Sequence, residues 1–152
     1  MSIKANIKEL VLIAGAGRLS IGIASEFSLQ DAYIVLIIDD QMGALAKLKK
    51  KLRACIVSVD VTDTEALERC GIETAKYFIA ATDSDNTNIM IAQIAKEIYH
   101  VPNVIAIIQD GDNKVHLLKE LNILTVCPNL LAFDQLKSTF GMLNVTKERS
   151  DQ

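Results

Sequence analysis

Tryptophan is absent from this 152-residue sequence, and aromatic residues make up only 5% of it. So sparse an aromatic complement offers no platform for stacking bases. The formal charge of −3 gives no electrostatic reason to expect a nucleic-acid partner. The basic stretch KLKKKLR, Lys47 to Arg53, reads as the solvated face and last turn of a helix, where cations suit the dipole. No apolar run approaches the roughly 18 residues that span a bilayer. The apolar runs, such as Val35 to Ile38 and Val104 to Ile108, are strand-length. The N-terminus, MSIKANIKEL, lacks the charged-then-apolar layout of a signal peptide. A soluble, cytoplasmic protein is the expectation.

Other chemistries are poorly supplied. Cys55, Cys70 and Cys127 stand far apart without a Cys-x-x-Cys, which leaves metal and redox motifs unsupported. Their apolar flanks read as buried thiols. His100 and His116 have no ligand-spaced companions; both read as surface helix residues, and no metal site is expected. No linker, repeat or low-complexity segment divides the chain.

What is present is an alternation of strand-like and helical patterns. Strands are expected at Glu9–Ala14, Tyr33–Asp39, Ala54–Val59, Lys76–Ala81, Asn103–Gln109 and Ile123–Cys127. Helices are expected at Arg18–Leu29, Gln41–Leu52, a short one capped by Thr62 or Asp63 and ending at Gly71, then Asp85–Tyr99, Asn113–Leu121 and Leu130–Phe140. Pro128 is read as the end of the sixth strand. Near-continuous apolar strands joined by crossover helices indicate an α/β fold, a Rossmann-like doubly wound parallel sheet of six strands, closed by a C-terminal helix. One domain over residues 1–140 is expected, followed by a frayed polar tail over 141–152.

The stretch VLIAGAGRLSIGIA, Val11 to Ala24, places a Gly-x-Gly between a strand and a helix, the context that a dinucleotide fingerprint requires. Gly15 permits the tight turn and Gly17 a close approach of backbone to phosphate, with the helix N-terminus facing the anion. Asp39, about twenty residues on, is where an acid accepts from the ribose hydroxyls. Asp40 is the alternative, with strand alternation favouring Asp39. The same carboxylate repels a 2′-phosphate, so NADP is disfavoured. Asp60, after the third strand, can reach an adenine amino group with Val61 beside the ring, or it serves only the cap of the next helix. The segment AATDSDNTN, Ala80 to Asn88, leaves room for ribose and phosphates, with Ser84 or Asp85 able to cap a helix. Capping alone is an equal explanation of that segment.

With these pieces the chain resembles the TrkA-N or RCK family, the cytosolic nucleotide-binding domains of Trk/Ktr-type potassium transport systems and potassium channels. The resemblance runs from about Leu10 to Leu136 and rests on GAGRLSIGIA, IIDD, VDVTDTEALERCGIETAKYFIAATDSDNTNIMIA and VIAIIQD. It implies an adenine nucleotide (ATP, ADP or AMP) or NAD(H) as ligand, and a gating movement of a membrane-embedded pore subunit as output. Carried onto matching positions, Gly15 and Gly17 would hold phosphates, with Arg18 and Leu19 beside them. Arg18 matches an arginine that in some members reaches a phosphate, sometimes of the neighbouring subunit. Asp39 or Asp40 would hold the ribose, Asp60 and Val61 the adenine, and Ala81, Thr82 and Asp83 would line the pocket. The resemblance also implies a homo-oligomer, a dimer or an octameric ring, attached to the inner face of the membrane through the pore partner.

Three features depart from the family pattern. Ser20 stands where a third glycine would pack helix on strand, which leaves a small outward shift of the helix or a hydroxyl facing the phosphates. Ile107 stands where many members have an arginine, and this puts triphosphate preference in doubt. Many members also carry a second regulatory domain. The last helix, with Leu131, Phe133, Leu136, Phe140 and Leu143, reads either as a subunit contact or as packing on its own sheet.

The competing function is a small NAD-dependent oxidoreductase or a stand-alone NAD(H)- or redox-sensing module. Hydride transfer needs an acid–base group beside the nicotinamide. Tyr33, Tyr77 and Tyr99 are followed four residues on by Ile37, Ala81 and Asn103 rather than lysine. A non-enzymatic sensor is therefore the expectation.

Overall fold

The computed structural model describes residues 7–41, 52–110 and 114–141. The helix expected at Gln41–Leu52 lies, apart from its end residues, outside the described residues, as do Leu143 and all of the expected tail beyond Gly141. The described elements are β1 (Glu9–Ala14), α1 (Arg18–Ser28), β2 (Tyr33–Asp39), β3 (Cys55–Ser58), α2 (Thr64–Arg69), a 3₁₀ turn (Ile72–Thr74), β4 (Ala75–Ala80), α3 (Asp85–Gln93), β5 (Asn103–Ile107), α4 (Lys114–Glu120), β6 (Leu124–Val126) and α5 (Pro128–Thr139).

The strands form one parallel six-stranded sheet in the order β3-β2-β1-β4-β5-β6. Strand β1 is apolar without alternation because both of its faces are covered: Val11, Leu12, Ile13 and Ala14 have no solvent exposure. Leu12, Ile38, Phe78 and Ala106 face the layer built by α2, α3 and α4. Val11, Ile13, Val35 and Ile79 face Ala24 of α1 on the other side. Winding runs outward from β1 to β3, then returns to β4 on the opposite side of β1. That reversal opens a crevice at the carboxyl ends of β1 and β4.

At the other end of the sheet, Phe27, Tyr33 and Tyr77 pack with ring centroids 5.1 to 5.9 Å apart. The C-terminal end of α1 is thereby pinned to β2 and β4, and its N-terminus is free to face the crevice.

Several expectations need correction. Pro128 opens α5 rather than merely ending β6, since a helix tolerates proline in its first turn. Helix α3 passes into a π-helical turn at Ile94–Ile98, and His100 lies beyond it with φ of 53°. His100 is thus not a helical residue, whereas His116 is an exposed residue of α4. Gln109 falls outside β5. The cysteines are free but not buried: Cys55 is exposed on the edge strand, and Cys70 and Cys127 are half-buried.

Helix α5 departs furthest. It has no buried residue, and Leu130, Leu131, Phe133, Leu136 and Phe140 are each about half exposed or more. Packing on its own sheet, one of the two readings of this helix, is therefore excluded.

Candidate nucleotide-binding cleft

The glycine loop is shaped by its neighbours before any ligand is considered. Gly15 donates its N–H to the Ile38 carbonyl at 2.8 Å and has φ of 102°. A Cβ at this position would sit 2.3 Å from the Ala81 carbonyl oxygen. Gly15 therefore serves the close approach of the loops after β1 and β4, and it does not itself line the cleft. Gly17 is different. Its φ of −71° suits any residue, and a Cβ there would meet nothing within 4 Å. The protein alone does not demand a glycine at 17.

Helix α1 starts directly after Gly17 with no side-chain cap and no acid in its first turn. Its first N–H groups are thus left for another acceptor. Helices α2 and α3 each have one of theirs capped by a side chain. Asp63 accepts from Glu65 N at 3.0 Å and Ser84 from Thr87 N at 3.3 Å, so Asp63 rather than Thr62 is the cap of α2, and Ser84 rather than Asp85 the cap of α3. Asp85 instead reaches across to accept from the N–H groups of Gln109 and Asp110, at 2.8 and 2.9 Å.

Asp39 ends β2 and braces the glycine loop. Its carboxylate accepts from Ala16 N and from Gln41 N, both at 2.7 Å. Each oxygen keeps a further lone pair for a ribose hydroxyl. Asp40 lies past the end of the strand, so alternation does not separate the two, and both line the cleft. Asp60 accepts from the Thr62 hydroxyl at 2.6 Å and from Thr62 N at 2.8 Å. These bonds lower its pKa and keep it anionic.

Ser20 is fully buried, and its hydroxyl donates to the Ala81 carbonyl at 3.4 Å. The hydroxyl is thus directed at the β4 loop, and serine serves as the small packing residue between helix and strand. Neither an outward shift nor a phosphate contact is needed to accommodate it.

The residue that composition concealed is Asn88. It is 1% exposed. Its amide oxygen accepts from Thr82 N at 2.8 Å and from the Thr82 hydroxyl at 2.6 Å. Its amide nitrogen donates to the carbonyls of Ile107 at 2.8 Å and Thr82 at 3.1 Å. All of its polar capacity is spent holding the β4 loop against the end of β5. The signal available in the sequence was an asparagine on the same helical stripe as Ile91, Ala92 and Ala95, all three of which are fully buried.

These elements enclose a cleft of 560 Å³, within the range of small-molecule sites. Gly17, Arg18, Leu19, Asp39, Asp40, Asp60, Val61, Ala81, Thr82 and Asp83 line it, together with Ala16, Ser20, Gln41, Thr62, Thr87, Ile107 and Gln109. Every site residue expected from the sequence except Gly15 thus borders one space. Ile107 contributes an apolar wall, 4% exposed. Among the described residues Arg18 is the one cation lining the cleft. No described helix is long and apolar enough to cross a membrane.

Comparison with known proteins places this arrangement. The chain is 30% identical over 126 residues to the Trk system potassium uptake protein TrkA of Streptomyces coelicolor, covering 83% of this chain and 56% of that protein. It is 29% identical over 104 residues to a TrkA homolog of Methanothermobacter thermautotrophicus, covering 68% of this chain and 47% of that one. The chain thus spans about half the length of these relatives. Among solved structures, the AMP-bound C-terminal domain of Kef from Shewanella denitrificans superposes with a TM-score of 0.73 at 19% identity, over 93% of this chain and 88% of that one. The GsuK channel protein superposes in its ADP-bound form with a TM-score of 0.71 at 22% identity, over 84% and 32%. Its NAD-bound form gives 0.62 at 19%, over 83% and 22%. The TrkA-N domain family model matches residues 11–128, and the chain belongs to the TrkA-N domain family.

Proposed function

We propose that this chain is a nucleotide-sensing regulatory domain or subunit of a potassium uptake system or channel. In this reading it binds an adenine nucleotide or NAD(H) in the cleft and controls gating of a membrane-embedded pore partner. The observation that carries the reading is the uncapped N-terminus of α1 behind a glycine that the fold itself does not require. A free helix N-terminus and a missing side chain together make room and field for a phosphate. Asp39 and Asp40 supply ribose acceptors, and Asp60 with Val61 supplies an adenine edge. Relatives named for potassium uptake support the transport role, and structural neighbours bound to AMP, ADP and NAD support the ligand class. Residues 1–140 act as the domain in this reading, at the cytoplasmic side of the membrane.

The role is regulatory rather than catalytic. The names of the potassium-uptake relatives support that role. The test is thermal unfolding of the full chain with AMP, ADP, ATP, NAD⁺, NADH and NADP⁺. A ligand at a hundred times its dissociation constant adds about 2.7 kcal/mol, or roughly 5–10 °C for a chain of this size. NADP⁺ is expected to stabilise least, because carboxylates face the 2′ position. Gly17→Ala should fold with stability within about 1 kcal/mol of wild type and lose at least tenfold in nucleotide affinity. If no nucleotide raises the melting temperature, or if the protein turns over NADH with a substrate, the reading fails.

Helix α5 supplies the assembly surface in this reading. Phe133, Leu136 and Phe140 recur at three- and four-residue spacings on one exposed face, and such a patch marks an interaction site. The wild-type chain is expected to sediment as a dimer or larger assembly, and Phe133→Glu with Leu136→Glu as a monomer. A monomeric wild type at micromolar concentration would remove this assignment.

A further inference from the structure

We propose that the cleft selects adenosine ligands by phosphate charge, favouring AMP and the pyrophosphate-linked NAD(H) over ADP and, most strongly, over ATP. This inference rests on the nucleotide reading above. It concerns which member of that ligand class the electrostatics of this chain admit.

Among the described residues, the positive charge available to phosphate is small. The N-terminus of α1 supplies about half a unit charge. Arg18 is exposed in the first turn of α1, its side chain without an ion-pair or hydrogen-bond partner among the described residues; it supplies one more. Against these stand four carboxylates lining the same cleft, those of Asp39, Asp40, Asp60 and Asp83. Asp39 and Asp60 are committed to backbone and hydroxyl donors. Asp83 has no such partner among the described residues.

Asp83 belongs to the phosphate end. It follows Thr82, whose backbone N lies 2.7 Å from where a Cβ on Gly15 would stand. The β4 loop is therefore packed directly against the glycine loop that leads into α1. The wall beyond it is Ile107, an apolar residue whose carbonyl is already taken by Asn88. A ligand with one phosphate, or with two bridging phosphates that each carry a single charge, places its charge on Arg18 and the helix N-terminus. Each further phosphate of ADP or ATP adds negative charge to the ligand and finds Asp83 and an aliphatic wall.

Calorimetric titration of the full chain with AMP, NAD⁺, ADP and ATP tests this. EDTA is present throughout, so that the polyphosphates carry their full charge. AMP and NAD⁺ should bind at least tenfold tighter than ATP, with ADP between. Raising the salt concentration should narrow the gap, because screening relieves the repulsion. Asp83→Asn should reduce the AMP-to-ATP ratio at least threefold, and Arg18→Ala should weaken AMP and NAD⁺. ATP binding as tightly as AMP in EDTA, or a ratio unmoved by Asp83→Asn, overturns the charge selection while leaving the nucleotide reading intact. Absence of binding by all four overturns both.

Discussion

Gly15→Ala is expected to destabilise the protein by about 3–5 kcal/mol, measured as the shift in urea midpoint at constant slope. The cost has two sources. A non-glycine residue at φ of 102° is strained. The added Cβ would also stand 2.3 Å from the Ala81 carbonyl oxygen and 2.7 Å from Thr82 N. That backbone cannot retreat cheaply. Ala81 N donates to the Ala14 carbonyl at 2.8 Å, Ser20 donates to the Ala81 carbonyl, and Asn88 holds Thr82 from the other side. Moving one loop would break contacts on all sides of it. The neighbouring glycine should behave oppositely, since Gly17→Ala changes binding rather than stability. A Gly15→Ala protein as stable as wild type would show that the two loops are not in close contact.

Asn88→Leu is expected to cost about 3 kcal/mol, because it strands the buried Ile107 carbonyl and removes the partner of the half-buried Thr82 N–H. Nucleotide affinity should fall with it, since the β4 loop that lines the cleft loses its anchor. Asn88→Asp separates this network from mere volume. A carboxylate can still accept from Thr82, but it faces the carbonyls of Thr82 and Ile107 with no donor. Its folded pKa would be raised above the unfolded value. The defect relative to wild type should therefore be largest at neutral pH and shrink as pH falls through the carboxylate range, where the protonated form regains one donor. An Asn88→Asp variant as stable as wild type at pH 7, with equal nucleotide affinity, would remove the anchoring role.

Part of this site could be read without coordinates. The bounds of β1 and β2 follow from runs that are apolar at successive positions and stop at Ala14 and Asp39. The start of α1 follows from the Gly-x-Gly after a strand. These are local signals, carried by residues a few positions apart. The short helix α2 was legible for the same reason, although the choice between Thr62 and Asp63 as its cap was not. The end of α3 was less legible, because α and π registers differ by a single residue in hydrogen bonding and not in composition.

What a residue does for a distant partner depends on which loops the sheet order brings together. Asp39 braces Ala16 over 23 positions, Ser20 reaches Ala81 over 61, and Asn88 reaches Ile107 over 19. None of these separations has a periodicity that a sequence could display. The same holds for α5, whose apolar residues fit a buried or an exposed helix equally well. The sequence by itself determined the alternation of strands and helices, the glycine loop and the acids at the strand ends. Only the tertiary structure decided that Gly15 serves packing while Gly17 faces open space, that Asp40 joins Asp39 at the cleft, and that α5 leaves its own sheet. The physical reason is that hydrophobic period and turn chemistry act within a few residues, whereas steric fit and hydrogen-bond partnership are properties of the assembled sheet.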